Sequence, residues 1–289
     1  MKRSSALLLL GVLISLGSTT SAQIPDLVEL RQRATTGDAG AENDLGVAYL
    51  EGLGLTKNPV EAVKWFQKAA LQGQAEAQLN LGDCYADGKG IPKDPLQAVT
   101  WFRKAADQGL LAAQHALGVS YERGEGVTLD FAEALRWYRL AAGEGFAQSQ
   151  YNLGYCYHWG RGTPKDLVQA THWYLEAAKQ GLVAAQSNLG YCFANGLGVP
   201  KDLIRAAQWY RRAAEQGHAE GQVNLGTCYA QGKGVQQDLV MACMWYRLAA
   251  AQGSADGSTG QGIVEQIMTK ERIAEAKRLS ADWKPKASE

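Results

Sequence analysis

The chain has 289 residues, 46% hydrophobic and 20% charged, which is the composition of a folded globular protein and excludes the disordered and collagen-like classes. Lys plus Arg equals Asp plus Glu at 29 each, so no global field of either sign is available to hold nucleic acid or an anionic membrane surface. Taken in chain order, Lys2 and Arg3 precede an apolar run from Ala6 to Leu16 and a small polar stretch ending at Thr20-Ser21-Ala22. That pattern predicts a secretory signal peptide over 1–22, cleaved after Ala22. The run is far shorter than the roughly 20 residues an α-helix needs to cross a bilayer, and no second long apolar run follows. With no Cys near Ala22 to accept lipid, the mature chain is expected to be secreted or periplasmic without a stable membrane anchor.

Residues 23–38 are expected to form a capping helix. Leu27 to Thr36 carries the pattern of a lone second helix, with Ala34 and Gly37 in register and Glu29 where an aromatic is otherwise found. From 39 to 254 the chain repeats every 36 residues without insertion. Trp65, Trp101, Trp137, Trp173, Trp209 and Trp245 mark the period, as do the Leu-Gly pairs that begin at Leu45, Leu81, Leu117, Leu153, Leu189 and Leu225. Each unit reads as two helices. The first has the form Ala-Gln-x-Asn-Leu-Gly-x-Cys-Tyr and the second Ala-x-x-Trp-Tyr-x-x-Ala-Ala.

Gly-x-Gly, as at Gly88-Lys89-Gly90, should stop each first helix, because Gly tolerates the left-handed conformation of a helix end. Asn58, Asp94, Asp130, Asp166, Asp202 and Asp238 should cap the second helices, and Gly73 and its equivalents should end them. The small residues Gly154, Ala170, Ala177 and Ala178 let helix axes approach. On this reading Gly154→Val or Trp173→Ala costs more stability than any change in the Gly-x-Gly turns. Residues 255–289 then read as a degenerate first helix around Ile263 to Met268, a capping Thr269, and an amphipathic helix with Ile273, Ala276 and Leu279 on one face.

At these residues the sequence resembles the Sel-one-like repeat family, a relative of tetratricopeptide repeats. The signature of Leu-Gly-x-x-Tyr, Gly-x-Gly, capping Asp, Ala-x-x-Trp-Tyr and Ala-Ala before Gly runs from about 27 to 283, with exchanges such as Asn58 for Asp and Phe193 for Tyr. The resemblance implies an all-α, right-handed solenoid of stacked antiparallel helix pairs that holds partner proteins or peptides on its concave surface, with no cofactor. A cysteine-rich secreted branch of the family includes members with a β-lactamase label, so a cell-envelope hydrolase is the alternative. The places where that branch pairs its cysteines hold Ala70 and Ala77, Ala106 and Ala113, or Ala178 and Ala185. A Ser-x-x-Lys nucleophile pair is also missing.

Cys84, Cys156, Cys192 and Cys228 share one repeat position, filled by Ala48 and Ser120 elsewhere, which reads as a small buried slot. Stacked equivalent helices lie at least about 8 to 10 Å apart, beyond the roughly 7 Å limit for bridging Cα atoms. Cys228 and Cys243, at similar distances either side of one hairpin turn, are the one pair able to face each other and bridge in an oxidising compartment. His115, His158, His172 and His218 show no metal-ligand spacing.

The positions that vary between repeats fall two before Leu, two after it and five after it, which traces one helical stripe. Packing does not fix these positions, so they are expected to face solvent and line the concave wall. Tyr151, Tyr155, His158 and the adjacent Trp159, together with Tyr191, supply aromatic surface there, and Asp83, Glu122 and Arg123 supply charge. Such a groove suits a protein or peptide partner, because Tyr and Trp bury large area while losing few rotamers.

Overall fold

A computed structural model describes residues 27–286; the signal-peptide expectation, and the start of the expected capping helix, lie outside the described residues. The described residues form fifteen α-helices and no strand, an all-α solenoid. After α1 (Leu27–Thr35), first helices alternate with second helices, each of thirteen residues. The first helices are α2 (Ala39–Glu51), α4 (Ala75–Asp87), α6 (Leu111–Arg123), α8 (Ala147–Trp159), α10 (Val183–Asn195) and α12 (Ala219–Gln231). The second helices are α3 (Pro59–Leu71), α5 (Pro95–Asp107), α7 (Phe131–Gly143), α9 (Leu167–Lys179), α11 (Leu203–Glu215) and α13 (Leu239–Ala251). The chain closes with α14 (Ala255–Glu265) and α15 (Lys270–Asp282). It divides after Asp130 into two compact units, so the boundary falls inside the third hairpin.

Local chemistry sets the helix ends. The Asp166 carboxylate accepts the N–H groups of Val168 and Gln169, both at 3.0 Å, and Asn58, Asp94, Asp202 and Asp238 cap their helices in the same way. Each such residue also ties its loop down, as when the Asp166 N–H donates to the Tyr157 carbonyl at 2.9 Å. The first helices stop at a left-handed Gly, as at Gly160, φ 69°.

In the first unit, 27–130, Leu45, Leu81 and Leu117 are buried, and a Cβ added to Gly46 would stand 2.6 Å from the Phe66 ring. In the second unit, 131–286, Leu153, Leu189 and Leu225 are buried, and Gly154 and Gly190 press on Tyr174 and Tyr210 in the same way. The glycine after Leu is therefore a seat for the aromatic that follows Trp. In the fourth repeat that aromatic outranks the Trp, since Tyr174 is 1% exposed and Trp173 only half-buried, whereas Trp137 and Trp245 are buried beside their aromatic neighbours.

The Gly-x-Gly turn is also more constrained than the sequence suggests. A Cβ on its second Gly would meet the first carbonyl of the preceding second helix, Pro59 for Gly90 and Phe131 for Gly162, while φ stays near +70°. The expected ranking of Trp173 above these turns is therefore corrected, whereas Gly154, pressed on Tyr174 and the Ala170 carbonyl, stays among the tight positions. The turns are packing points between successive hairpins, and substitution there meets unyielding backbone.

Each unit also carries a ladder of buried amides. Gln150, Gln186 and Gln222 donate to the Ala142, Ala178 and Ala214 carbonyls at 3.3 to 3.4 Å and accept from Gln180, Gln216 and Gln252 at 2.8 to 2.9 Å. In the first unit, Gln78 bonds the Ala70 carbonyl and accepts from Gln108. Each rung reaches from one hairpin to the next, so these bonds fix the stacking register as well as satisfying buried groups.

All five cysteines are buried and none is in a disulfide. The possible Cys228–Cys243 disulfide is not formed, because the Cys243 sulfur is turned toward the Glu265 carboxylate, 3.7 Å away. Burial pushes the Cys84 thiol up to about 12 and those of Cys228 and Cys243 to about 11, which keeps them protonated and unreactive at neutral pH.

Candidate binding face

The aromatic candidates all lie on the first helices of the second unit. On α8, Tyr155 and Trp159 are one turn apart with ring centroids 6.2 Å apart, and His158 stacks against Trp159 at 4.9 Å. Tyr151 is half-buried against Tyr174 at 5.8 Å, and His158 also meets Tyr174 at 6.2 Å. The Arg161 guanidinium stands 5.0 Å over the Tyr155 ring and 5.6 Å from Phe131, adding cation–π attraction that the sequence reading missed. Trp159 is 60% exposed and Tyr191, on α10, is 49% exposed. These two project most of their apolar area into solvent.

The stripe is not uniformly solvent-facing. Two positions before Leu, Asn43, Leu79 and Ser187 are buried, because that side of a first helix is packed rather than free. An Asn80 amide donates to Asn43 at 2.8 Å there. The exposed edge is instead the position six after Leu, where Trp159 stands; two after Leu, Tyr191 is exposed and the other five residues are half-buried.

His158 sits low in the aromatic cluster. Burial, with Lys165 second, pulls its pKa below the ordinary range, so the ring is neutral at pH 7, and its buried Nδ1 has no hydrogen-bond partner. A neutral imidazole among aromatic rings offers an apolar contact and one unspent polar atom.

The charged candidates belong to the first unit. Asp83, on α4, is half-buried, and burial, followed by the Asp87 charge, raises its carboxyl to about 7. Its nearest charged neighbours are Asp87 and Lys89, themselves paired at 2.7 Å. Glu122 is half-buried and Arg123 exposed in the last turn of α6. The aromatic and charged candidates are thus held by different units.

Among the described residues, no group of three or more His, Cys, Asp or Glu side chains is arranged to hold a metal ion, and no helix is long and apolar enough to cross a membrane.

Within each unit, helical hairpins of one length, closed by a glycine–aromatic seat and joined to a neighbouring hairpin through Gly-x-Gly turns and amide rungs, define a protein of the α-solenoid repeat class, a protein-interaction scaffold fold. The Sel1 repeat model matches residues 39–74, 75–110, 111–146, 147–182, 183–218 and 219–254, and the chain belongs to the Sel1 repeat family. It is similar to a protective antigen present in uropathogenic Escherichia coli strains that displays an SLR fold, with 39% identity over 89% of this chain and a TM-score of 0.80. The match spans 56% of that antigen's chain. A Sel1 repeat protein from Oxalobacter formigenes is 35% identical over 78% of this chain and 93% of its own, with a TM-score of 0.74. No curated protein gives a significant match.

Proposed function

We propose that this protein is an exported, non-enzymatic adaptor, periplasmic or extracellular, that holds a protein or peptide partner on the concave face lined by its first helices. The observation that carries the reading is the pair of large aromatics left in solvent on consecutive first helices, Trp159 at 60% and Tyr191 at 49% exposure. Neither is needed to complete the core, which Leu153, Leu189 and Tyr174 fill. Exposed Trp159 and Tyr191, with Arg161 stacked on the half-buried Tyr155, supply the residue types typical of interface hot spots. Export rests on the Lys2-Arg3, Ala6–Leu16 and Ala22 pattern. The buried, protonated thiols favour a binding role over nucleophilic chemistry.

The test is affinity capture of partners from the native host's envelope fraction by the wild-type chain and by a Tyr155→Ala, Tyr191→Ala double variant of unchanged helical content. A partner bound by the first and lost by the second supports the reading. Equal capture of every partner by both, or turnover of a chromogenic β-lactam by the purified chain, overturns it.

A further inference from the structure

The C-terminal segment does more than end the solenoid. After α15 the chain turns extended at Trp283, φ −72° and ψ 139°, and runs back to the end of α11. Three contacts hold it. The Trp283 ring meets Trp245 edge-on, with centroids 6.0 Å apart and planes at 75°. The Lys286 backbone N–H donates to the Glu215 carbonyl at 2.8 Å. The Lys286 ammonium pairs with the Glu215 carboxylate at 2.9 Å. Between these anchors, Trp283 and Pro285 pass over Gly217, where a Cβ would lie 3.9 and 3.7 Å from them.

The receiving surface is made of repeat positions. In the second unit the half-buried Trp209 carries Arg212 over its ring at 4.5 Å, whereas Trp245, 5% exposed, has Leu248 in the corresponding place and meets Trp283. Glu215 ends α11, whose last carbonyls carry the negative end of the helix dipole, and a cation is favoured there. The corresponding residues in this unit are Gly143, Lys179 and Ala251, so among its second helices α11 alone carries a carboxylate at this position. An uncovered Trp ring, a bare glycine and an acidic helix end select an aromatic residue, a proline that needs no N–H partner, and a lysine, spaced as Trp283, Pro285 and Lys286.

We infer that the Trp245–Gly217–Glu215 surface is a docking site for extended peptide segments of other proteins that carry an aromatic residue followed three positions later by lysine, and that the chain's own Trp283–Lys286 segment occupies it as an internal competitor. The tether is small enough to be displaced, because beside the Trp283–Trp245 ring contact it has one backbone hydrogen bond to α11 and an ion pair in which Lys286 is 71% exposed. An attached segment nonetheless acts at an effective concentration of about a millimolar, so a free peptide meets strong competition in the wild-type chain.

The test uses the full chain and a fluorescein-labelled peptide of residues 279–286, read by fluorescence anisotropy. Trp283→Ala, with Lys286→Glu as a second way of opening the site, should bind the peptide saturably. Wild type should bind it at least about tenfold more weakly, as an occupied site requires. Adding Glu215→Lys to either opened variant should abolish binding while circular dichroism stays unchanged. The inference is overturned if neither opened variant binds, if wild type binds as well as they do, or if binding survives Glu215→Lys. The site is separate from the first-helix face, so the Tyr155 and Tyr191 substitutions should leave this peptide's affinity unchanged.

Discussion

Replacing Gly162 by Ala should be among the most damaging single-methyl changes in the second unit, although Gly162 is solvent-exposed. Its φ of +69° already costs an L-residue roughly 1 to 2 kcal/mol. The new Cβ would also stand 2.1 Å from the Phe131 carbonyl oxygen and 2.9 Å from the Ala132 nitrogen, where only movement of the α7 start relieves the clash. Overpacking of that kind adds about 1 to 3 kcal/mol. The control is Gly145→Ala, whose φ is +91° but whose Cβ meets nothing within 4 Å, so it bears the conformational cost alone. Urea unfolding followed by circular dichroism should place Gly162→Ala below Gly145→Ala by about 1 to 3 kcal/mol, the clash alone. Equal midpoints would refute the claim that this turn is a packing point.

Further outcomes follow from the same contacts. Tyr174→Ala should cost about 3 to 5 kcal/mol and Trp173→Ala clearly less in the same melts, since Tyr174 is 1% exposed and Trp173 is half-buried. Gln222→Ala should cost about 1 to 3 kcal/mol by stranding the Ala214 carbonyl and the Gln252 amide, and hydrogen exchange should rise at α12 and α13 together. Asp83 gives a pH signature. Its carboxyl titrates at about 7 when folded against an ordinary 3.8, so its stabilising protonated form is complete below about 3.8 and lost as pH rises through 7. Asp83→Asn should therefore melt like wild type at pH 4 but more stably at pH 8, by about 1 to 2 kcal/mol after discounting for partial solvent access.

The period of 36, the caps and the helix stops were legible because each depends on local chemistry: an Asp side chain bonding the next turn, or a Gly taking positive φ. Leu-Gly was equally readable as a close approach. What the sequence hid is tertiary. Trp is the larger and more regular residue and reads as the core marker, yet it is the aromatic after it that faces the Gly, and of Trp173 and Tyr174 only Tyr174 is buried. The glutamine rungs recur at the same period but look like surface amides until the partner carbonyl is known. In the candidate face, side-chain variability stood in for exposure. That held for Trp159 and Tyr191, whereas buried Asn43, Leu79 and Ser187 vary because they pack different neighbours.

Photocrosslinking from a single site tests partner recognition by the first-helix face most directly. A benzophenone amino acid at Tyr191 in the first-helix face, and in parallel at the exposed His172 on second helix α9, should give partner adducts in the envelope of the native host from position 191 alone, and Trp159→Ala should remove them. Adducts formed equally from position 172, or undiminished by Trp159→Ala, would contradict recognition by this aromatic face.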